Sequence, residues 1–294
     1  MRPEPGANAR GTVYMIVGGL LLTSQDAISK WLTDDWHAGE IMAYRGLFML
    51  LPIVIWIAWR RDGAALKPNR PGAVGLRAGF TLVTSGFVVL SFAYLPLADA
   101  LAIIFINPLL VTALAPLFLA ERVGWRRWTA VGVAFAGVLL MTRPGETGLA
   151  WVVAIPLTAA LFAALRDVVT RRIGTTDGTA CVLFYSVLVV TIGGVATLPF
   201  GTHWPSAADW GLFAAAGLLG VASQAFTVRA FQIAAAATVA PFKYLSLVWA
   251  AGLGYLIWGD VPDSLKLAGA ALVVGSGLYV LYRETSLARQ ARAG

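Results

Sequence analysis

The chain has 294 residues, of which 59% are hydrophobic and 13% charged, with a mean hydropathy of +0.76. A soluble chain carries about 25% charged residues, so half the expected charge is missing and the apolar excess exceeds what one soluble core can hide. The formal charge of +7 does not point to nucleic acid, because the basic residues flank apolar runs. The single Cys181 excludes a disulfide framework and a cysteine-built metal site.

Apolar runs of about 17–25 residues, enough to cross ~30 Å of hydrocarbon as helix, follow one another along the chain. They span 11–33, 40–59, 72–94, 98–119, 125–142, 149–170, 179–200, 207–231, 235–257 and 264–282. The runs are continuous rather than alternating, which argues against a β-barrel. Arg2 and Arg10 precede the first run without a small-residue cleavage site after it, so that run is expected to be an uncleaved anchor. The expected fold is an all-α integral membrane protein of ten transmembrane helices.

Lysines and arginines in alternate loops set the orientation. Sixteen of the 22, including Arg60, Arg77, Arg126, Arg171 and Arg229, fall on one side, and only Arg143 and Lys266 on the other. The positive-inside rule puts both termini in the cytoplasm, as an even number of spans requires. Ten of the eleven tryptophans lie near span ends or in loops, as an aromatic belt does; Trp249 alone is deep.

The two halves, 1–145 and 146–294, align weakly. Residues 21–46 slide onto 161–186 at an offset of 140, pairing Tyr44 and Arg45 with Phe184 and Tyr185. Further on an offset of 137 pairs Phe105 with Phe242, Asn107 with Tyr244 and Gly132 with Gly269. Five spans per half is odd, so the second copy enters the membrane inverted, an arrangement that suits alternating access around a site near the midplane.

Lys243 stands nine residues into the ninth run, roughly 12 Å from its end at 1.5 Å per residue. A central Lys costs about 2.5–3.5 kcal/mol on insertion scales and so is expected to face a partner or a wet cavity, where its ammonium suits a carboxylate. The alternative is a snorkelling or acid-paired lysine. No acid lies at matching depth by sequence, which favours the first role. Pro241 beside it, and Pro108 after Asn107, each remove a backbone donor and loosen the helix. Asn107 and Tyr244 are polar at paired positions, and Gln224 and Ser223 with Thr84 and Ser85 give spans eight and three polar faces; interhelical hydrogen bonds are the competing role.

A second set is charged. Asp26 and Lys30 share a face one turn apart, with Arg45 at comparable depth; Arg166 and Asp167 lie at the mirrored level. These are candidates for gating or coupling, Asp26 as the protonatable group, against the alternative of fixed ion pairs and snorkelling. Gly75 and Gly79 form a GxxxG pair, and Gly269, Gly275 and Gly277 give span ten a small-residue face for close packing or a dimer contact.

Tyr94-Leu-Pro-Leu-Ala-Asp-Ala-Leu-Ala-Ile-Ile-Phe-Ile-Asn-Pro-Leu running into Leu119-Ala-Glu-Arg-Val, with Ala235-Ala-Ala-Thr-Val-Ala-Pro-Phe-Lys-Tyr-Leu running to Trp258-Gly-Asp, resembles the drug/metabolite transporter superfamily, EamA type, and within it the YddG-like bacterial amino-acid exporters. The resemblance implies a multi-pass inner-membrane secondary transporter exporting amino acids, aromatic ones included, or similar small metabolites. A drug or nucleotide-sugar carrier of the same fold, and a passive channel, are the alternatives. No GxxxxGK[ST], HExxH or GxSxG occurs, so neither an enzyme nor a cofactor or metal site is expected. The expected partners are a small-molecule substrate and membrane lipid, with the chain as monomer or homodimer.

Overall fold

The computed structural model describes residues 7–60, 66–118, 124–142, 151–173, 177–201, 204–234 and 239–293; among them the regular structure is helical, without strands. In chain order the helices are α1 (Ala7–Leu32), α2 (Ala38–Arg60), α3 (Pro71–Tyr94), α4 (Leu97–Ile104), α5 (Asn107–Phe118), α6 (Trp125–Thr142), α7 (Ala154–Ile173), α8 (Thr179–Val195), α9 (Ala207–Ile233), α10 (Leu245–Trp258) and α11 (Ser264–Ala293). Short 3₁₀ turns occupy Leu198–Phe200 and Ala240–Tyr244.

Six segments are long and apolar enough to cross a membrane: Ala38–Trp59, Pro71–Tyr94, Leu97–Phe118, Ala180–Phe200, Ala207–Ile233 and Ser264–Tyr282. The remaining helices fall short for visible reasons. α1 carries Arg10, Asp26 and Lys30, α7 carries Arg166, Asp167, Arg171 and Arg172, and α10 has only 14 residues.

Helix ends follow local chemistry. Pro71 opens α3, where its missing N–H is not needed. Ser206 and Asp209 close a reciprocal capping box on α9. Gly259, at φ +72°, ends α10 in the left-handed conformation that favours glycine.

Two apolar runs read from sequence as single helices are broken. The run 98–119 divides into α4 and α5 at Phe105–Ile106, because Pro108 has no N–H to give to Ile104. In the run 235–257, Pro241 sits in the 3₁₀ turn Ala240–Tyr244, and the α-helix begins only at Leu245. Lys243 therefore stands in a tightened turn, not on a regular helix.

α1 packs along α9 and α3 along α7; α2 packs on α8 and α9, α3 also on α8, α5 on α7, α10 on α1, and α6 on α11. Glycine permits the closest of these approaches. Gly194 of α8 lies against the backbone of Gly39 and Ala43, where a Cβ would collide, and Gly137 and Gly269 meet backbone to backbone between α6 and α11. Gly277 gives room to the Tyr244 ring. The expected role of Gly75 and Gly79 is not seen: both, like Gly275, face open space. The deep Trp249 has its Nε1 buried without a hydrogen-bond partner among the described residues.

Candidate functional site

Three polar groupings interrupt the apolar bundle. The first gathers around the break at Lys243. Asn107, at the start of α5, donates from Nδ2 to Asp167 Oδ2 at 3.0 Å, and Arg166 holds the other oxygen of Asp167 from Nε and Nη2, both at 2.9 Å. Asn107 Oδ1 is buried with no partner among the described residues. Lys243 is exposed although it lies within an apolar run, and its ammonium makes no hydrogen bond or ion pair with a described residue. The charges acting on it are Asp167 and Arg166 of α7. Lys243 is thus within electrostatic reach of α7. The expectation that no acid lies at its depth is corrected here, because the break in the ninth run turns Lys243 toward a helix that linear depth counting placed nearer the cytoplasm.

Arg77 completes this grouping and was missed by sequence reasoning. Its Nε donates to Thr170 Oγ1 at 2.8 Å and its Nη1 to Ser186 Oγ, so that α3, α7 and α8 are joined by one side chain. Arg166 and Asp167 are the charges that act on it. The signal was present: Arg77 lies six residues inside α3, deeper than a belt residue, but it was counted as a topological charge.

The second grouping lies between α1 and α2. Asp26 is buried and accepts from Gln25 Nε2 at 3.0 Å; Arg45, also buried, donates from Nη1 to Ser29 Oγ at 3.1 Å. Ser29 in turn donates to the Gln25 carbonyl at 2.9 Å, while Arg45 Nε has no partner among the described residues. Asp26 and Arg45 interact through space without a direct bond.

The third grouping closes one end of the bundle. Lys30 Nζ donates to the carbonyls of Phe92 and Leu95, at 3.0 and 2.9 Å, and lies 5.2 Å from the centre of the Trp258 ring. Those carbonyls are at the C-terminus of α3, where a cation is favoured. Lys266 pairs with Asp99 at 2.6 Å beside it. Trp36, Tyr44, Trp210 and Phe213 fill the same end in pairs with ring centroids 5.0–6.4 Å apart, packed on Val89 of α3.

The other expected site residues are scattered. Tyr244 stacks on Phe105 at 5.3 Å, its ring over Gly277. Ser223 is 2% exposed and donates to the Gly18 carbonyl at 2.8 Å, so its hydroxyl fastens α9 to α1. Gln224 is exposed. Thr84 is buried and bonded to its own helix at Phe80 O, and Ser85 is half-buried. Among the described residues no grouping of histidine, cysteine and acids could hold a metal.

Apolar helices, two apolar runs among them broken, with charged side chains gathered inside the bundle, are the build of a multi-pass membrane transporter. The chain belongs to the EamA-like transporter family, whose profile matches it twice, over residues 9–143 and 149–282. Members of this family are multi-pass proteins of the bacterial inner membrane that move solutes and are not enzymes. Similar proteins include an S-adenosylmethionine uptake transporter of Rickettsia prowazekii (28% identical, covering 93% of each chain) and a riboflavin transporter of Rhizobium johnstonii (28%, covering 96% of this chain and 94% of the relative). The pseudopaline exporter CntI of Pseudomonas aeruginosa is 29% identical over 90% of this chain and 93% of its own. A solved crystal structure superposes with a TM-score of 0.64 over 96% of this chain and 99% of its own, at 17% identity, which shows a shared fold.

Proposed function

We propose that the protein is a secondary exporter of amino acids or similar small carboxylate-bearing metabolites, working by alternating access between two inverted five-helix halves, 1–145 and 146–294. The observation that carries the cargo is Lys243, an ammonium without a partner among the described residues, in a helix break and facing the Arg166–Asp167 pair. Broken helices beside a charged group are where transporters of inverted-repeat design hold substrate. Relatives named for S-adenosylmethionine and pseudopaline support a cargo of this kind, S-adenosylmethionine having a methionine head; the riboflavin relatives support the runner-up, a carrier for larger metabolites or drugs.

Packing supports the inverted halves. With the halves exchanged, α1 on α9 becomes α7 on α3, α2 on α9 becomes α8 on α3, and α1 on α10 becomes α7 on α5; all three partners exist. The double match of the family profile supports the same division. The exceptions are informative. α1 and α2 also touch α3, but α7 and α8 make no comparable packing with α9 among the described residues. By the charge rule the end tied by Lys30 and Lys266 is periplasmic, which supports a state closed to the periplasm. A symmetric resting channel would lack this difference between its ends.

Counterflow in proteoliposomes tests the reading. External substrate should accelerate release of internal labelled amino acid, and equal release without external substrate would mean a channel instead. Topology is tested by cysteine labelling in a Cys181→Ser background. Periplasmic labelling at Arg289→Cys or cytoplasmic labelling at His203→Cys would overturn the orientation.

A further inference from the structure

We infer that transport is coupled to protons, one entering for each cargo molecule that leaves, with Asp26 as the group that carries the proton; this rests on the reading of the protein as an exporter. Asp26 differs from the acids that the bundle holds against a base. Asp99 is bonded to Lys266 and Asp167 to Arg166. Asp26, 8% exposed, makes no ion pair with a described residue, although a buried arginine stands beside it. Its one hydrogen bond among the described residues comes from Gln25 Nε2, on Oδ1 at 3.0 Å.

Hydrogen bonds fix where that arginine is. Arg45 Nη1 donates to Ser29 Oγ at 3.1 Å, and Ser29 stands three residues after Asp26 on the same face of α1. The guanidinium is thus about one helical turn from the carboxyl. An ionised carboxylate there draws an arginine into a charge-assisted pair. Arg45 instead gives Nη1 to a hydroxyl and leaves Nε buried without a partner among the described residues. That is the arrangement of a neutral Asp26.

The seam that covers this network lies between α1 and α2 on one side and α9 on the other. A Cβ on Gly220 would collide with Gln25 Oε1, and one on Gly217 with the Arg45 carbonyl, so α9 closes over the network with a glycine face. Burying an ionised carboxylate there costs more than burying the acid. Lys30, one turn beyond Asp26, ties α1 to α3 at the same end. In the state open to the periplasm Asp26 meets water and is ionised; closure without cargo then takes up a proton from the periplasm as the Asp26 O–H, which is later released to the cytoplasm. No other bond forms or breaks.

The other charged and titratable groups on the elements around α1 are engaged or distant. Lys30 is bonded to carbonyls, Asp99 of α4 to Lys266, and Glu40 of α2 accepts from the His37 amide. Tyr44 is packed among rings. Asp209 and Arg229 lie toward the two ends of α9, Arg77 and Tyr94 toward those of α3, Tyr255 is on α10, and Lys243 and Tyr244 are in the 3₁₀ turn. Arg45 is the charge that acts on Asp26.

The test uses the full chain in proteoliposomes, with the potential clamped at zero by potassium and valinomycin and a pH step of one unit. Labelled leucine should accumulate about tenfold on the acidic side, the ratio that one proton per cargo sustains for each pH unit. Asp26→Asn should bring that ratio to one. A second readout needs no cargo. Spin labels on Asp35→Cys and Val261→Cys, in a Cys181→Ser background, should report a closed end at acid pH that opens as the pH rises, whereas Asp26→Asn should stay closed throughout, because an amide cannot ionise. Leucine counterflow without accumulation under the pH step would overturn proton coupling and leave export intact. Closure that depends on pH only when Asp26 is present, without exchange of any amino acid, would overturn the exporter reading and leave the proton site. If Asp26→Asn fails to fold, the wild-type ratio, one or ten, decides alone.

Discussion

The two ends of the bundle are tied by different chemistry. At one end Lys30 ties α1 to the last carbonyls of α3, Lys266 holds Asp99, and Tyr44 is sealed among Trp36, Trp210, Phe213 and Val89. At the other, the paired positions are Thr170 for Lys30, Phe184 for Tyr44 and Phe226 for Val89. There Thr170 bonds to Arg77 of α3, Phe184 pairs with its neighbour Tyr185 at 5.4 Å, and Phe226 meets Tyr14 at 5.6 Å. Near-equivalent backbones thus carry unlike locks: a cation on helix carbonyls and an aromatic plug on one side, an arginine–hydroxyl tie across different helices on the other. The packings of α1 on α9 and α3 on α7 match in plan, while the ties at the two ends differ. Each end then has its own closing energy.

The largest effect should come from fixing the closed end. In a Cys181→Ser background, the pair Tyr44→Cys and Val89→Cys should crosslink on oxidation, abolish counterflow and recover it with reductant. Undiminished transport by the crosslinked protein would mean that this end never opens. The mirrored pair, Phe184→Cys with Phe226→Cys, should crosslink only when cargo drives the other closure; crosslinking at equal rate without cargo would erase the distinction between the ends.

Lys243→Met should come next, weakening apparent affinity roughly ten- to a hundredfold, since charge-assisted hydrogen bonds are worth about 1.5–3 kcal/mol. Expression should stay normal, because removing an intramembrane charge relieves a desolvation cost. Wild-type affinity for several amino acids would eliminate the carboxylate role.

Lys30→Met removes the two bonds that tie α1 to α3. It should shift the equilibrium away from the closed end by roughly tenfold, read as faster alkylation of Ser29→Cys. An unchanged rate would reduce Lys30 to an end-of-helix anchor. Lys266→Met should act in the same direction but weakly, by about fivefold or less, because its pair with Asp99 is partly exposed and such pairs contribute up to about 1 kcal/mol. Gln224→Ala should change transport by less than about twofold, since its side chain is exposed.

Membrane residence, helical class and family were legible from the sequence alone, because hydrocarbon thickness fixes span length and forbids unsatisfied backbone in any other form. Proline at 108 and 241 was readable as loosening its helix, but both runs were read as single spans, and the breaks themselves show only in the fold. Lys243, Asn107, Arg166 and Asp167 were readable as polar groups within apolar runs, but not as neighbours. Depth counted along a straight helix cannot register the turn that a break introduces, nor which helix faces the turned side chain. Arg77 was hidden for the same reason: its charge is readable, its partners on α7 and α8 are not. Ser223 had the right chemistry and faced the wrong helix, giving its hydroxyl to Gly18. Only the packing of distant segments decides which face of each helix meets the interior, and therefore which polar side chains are ties and which are left without a partner.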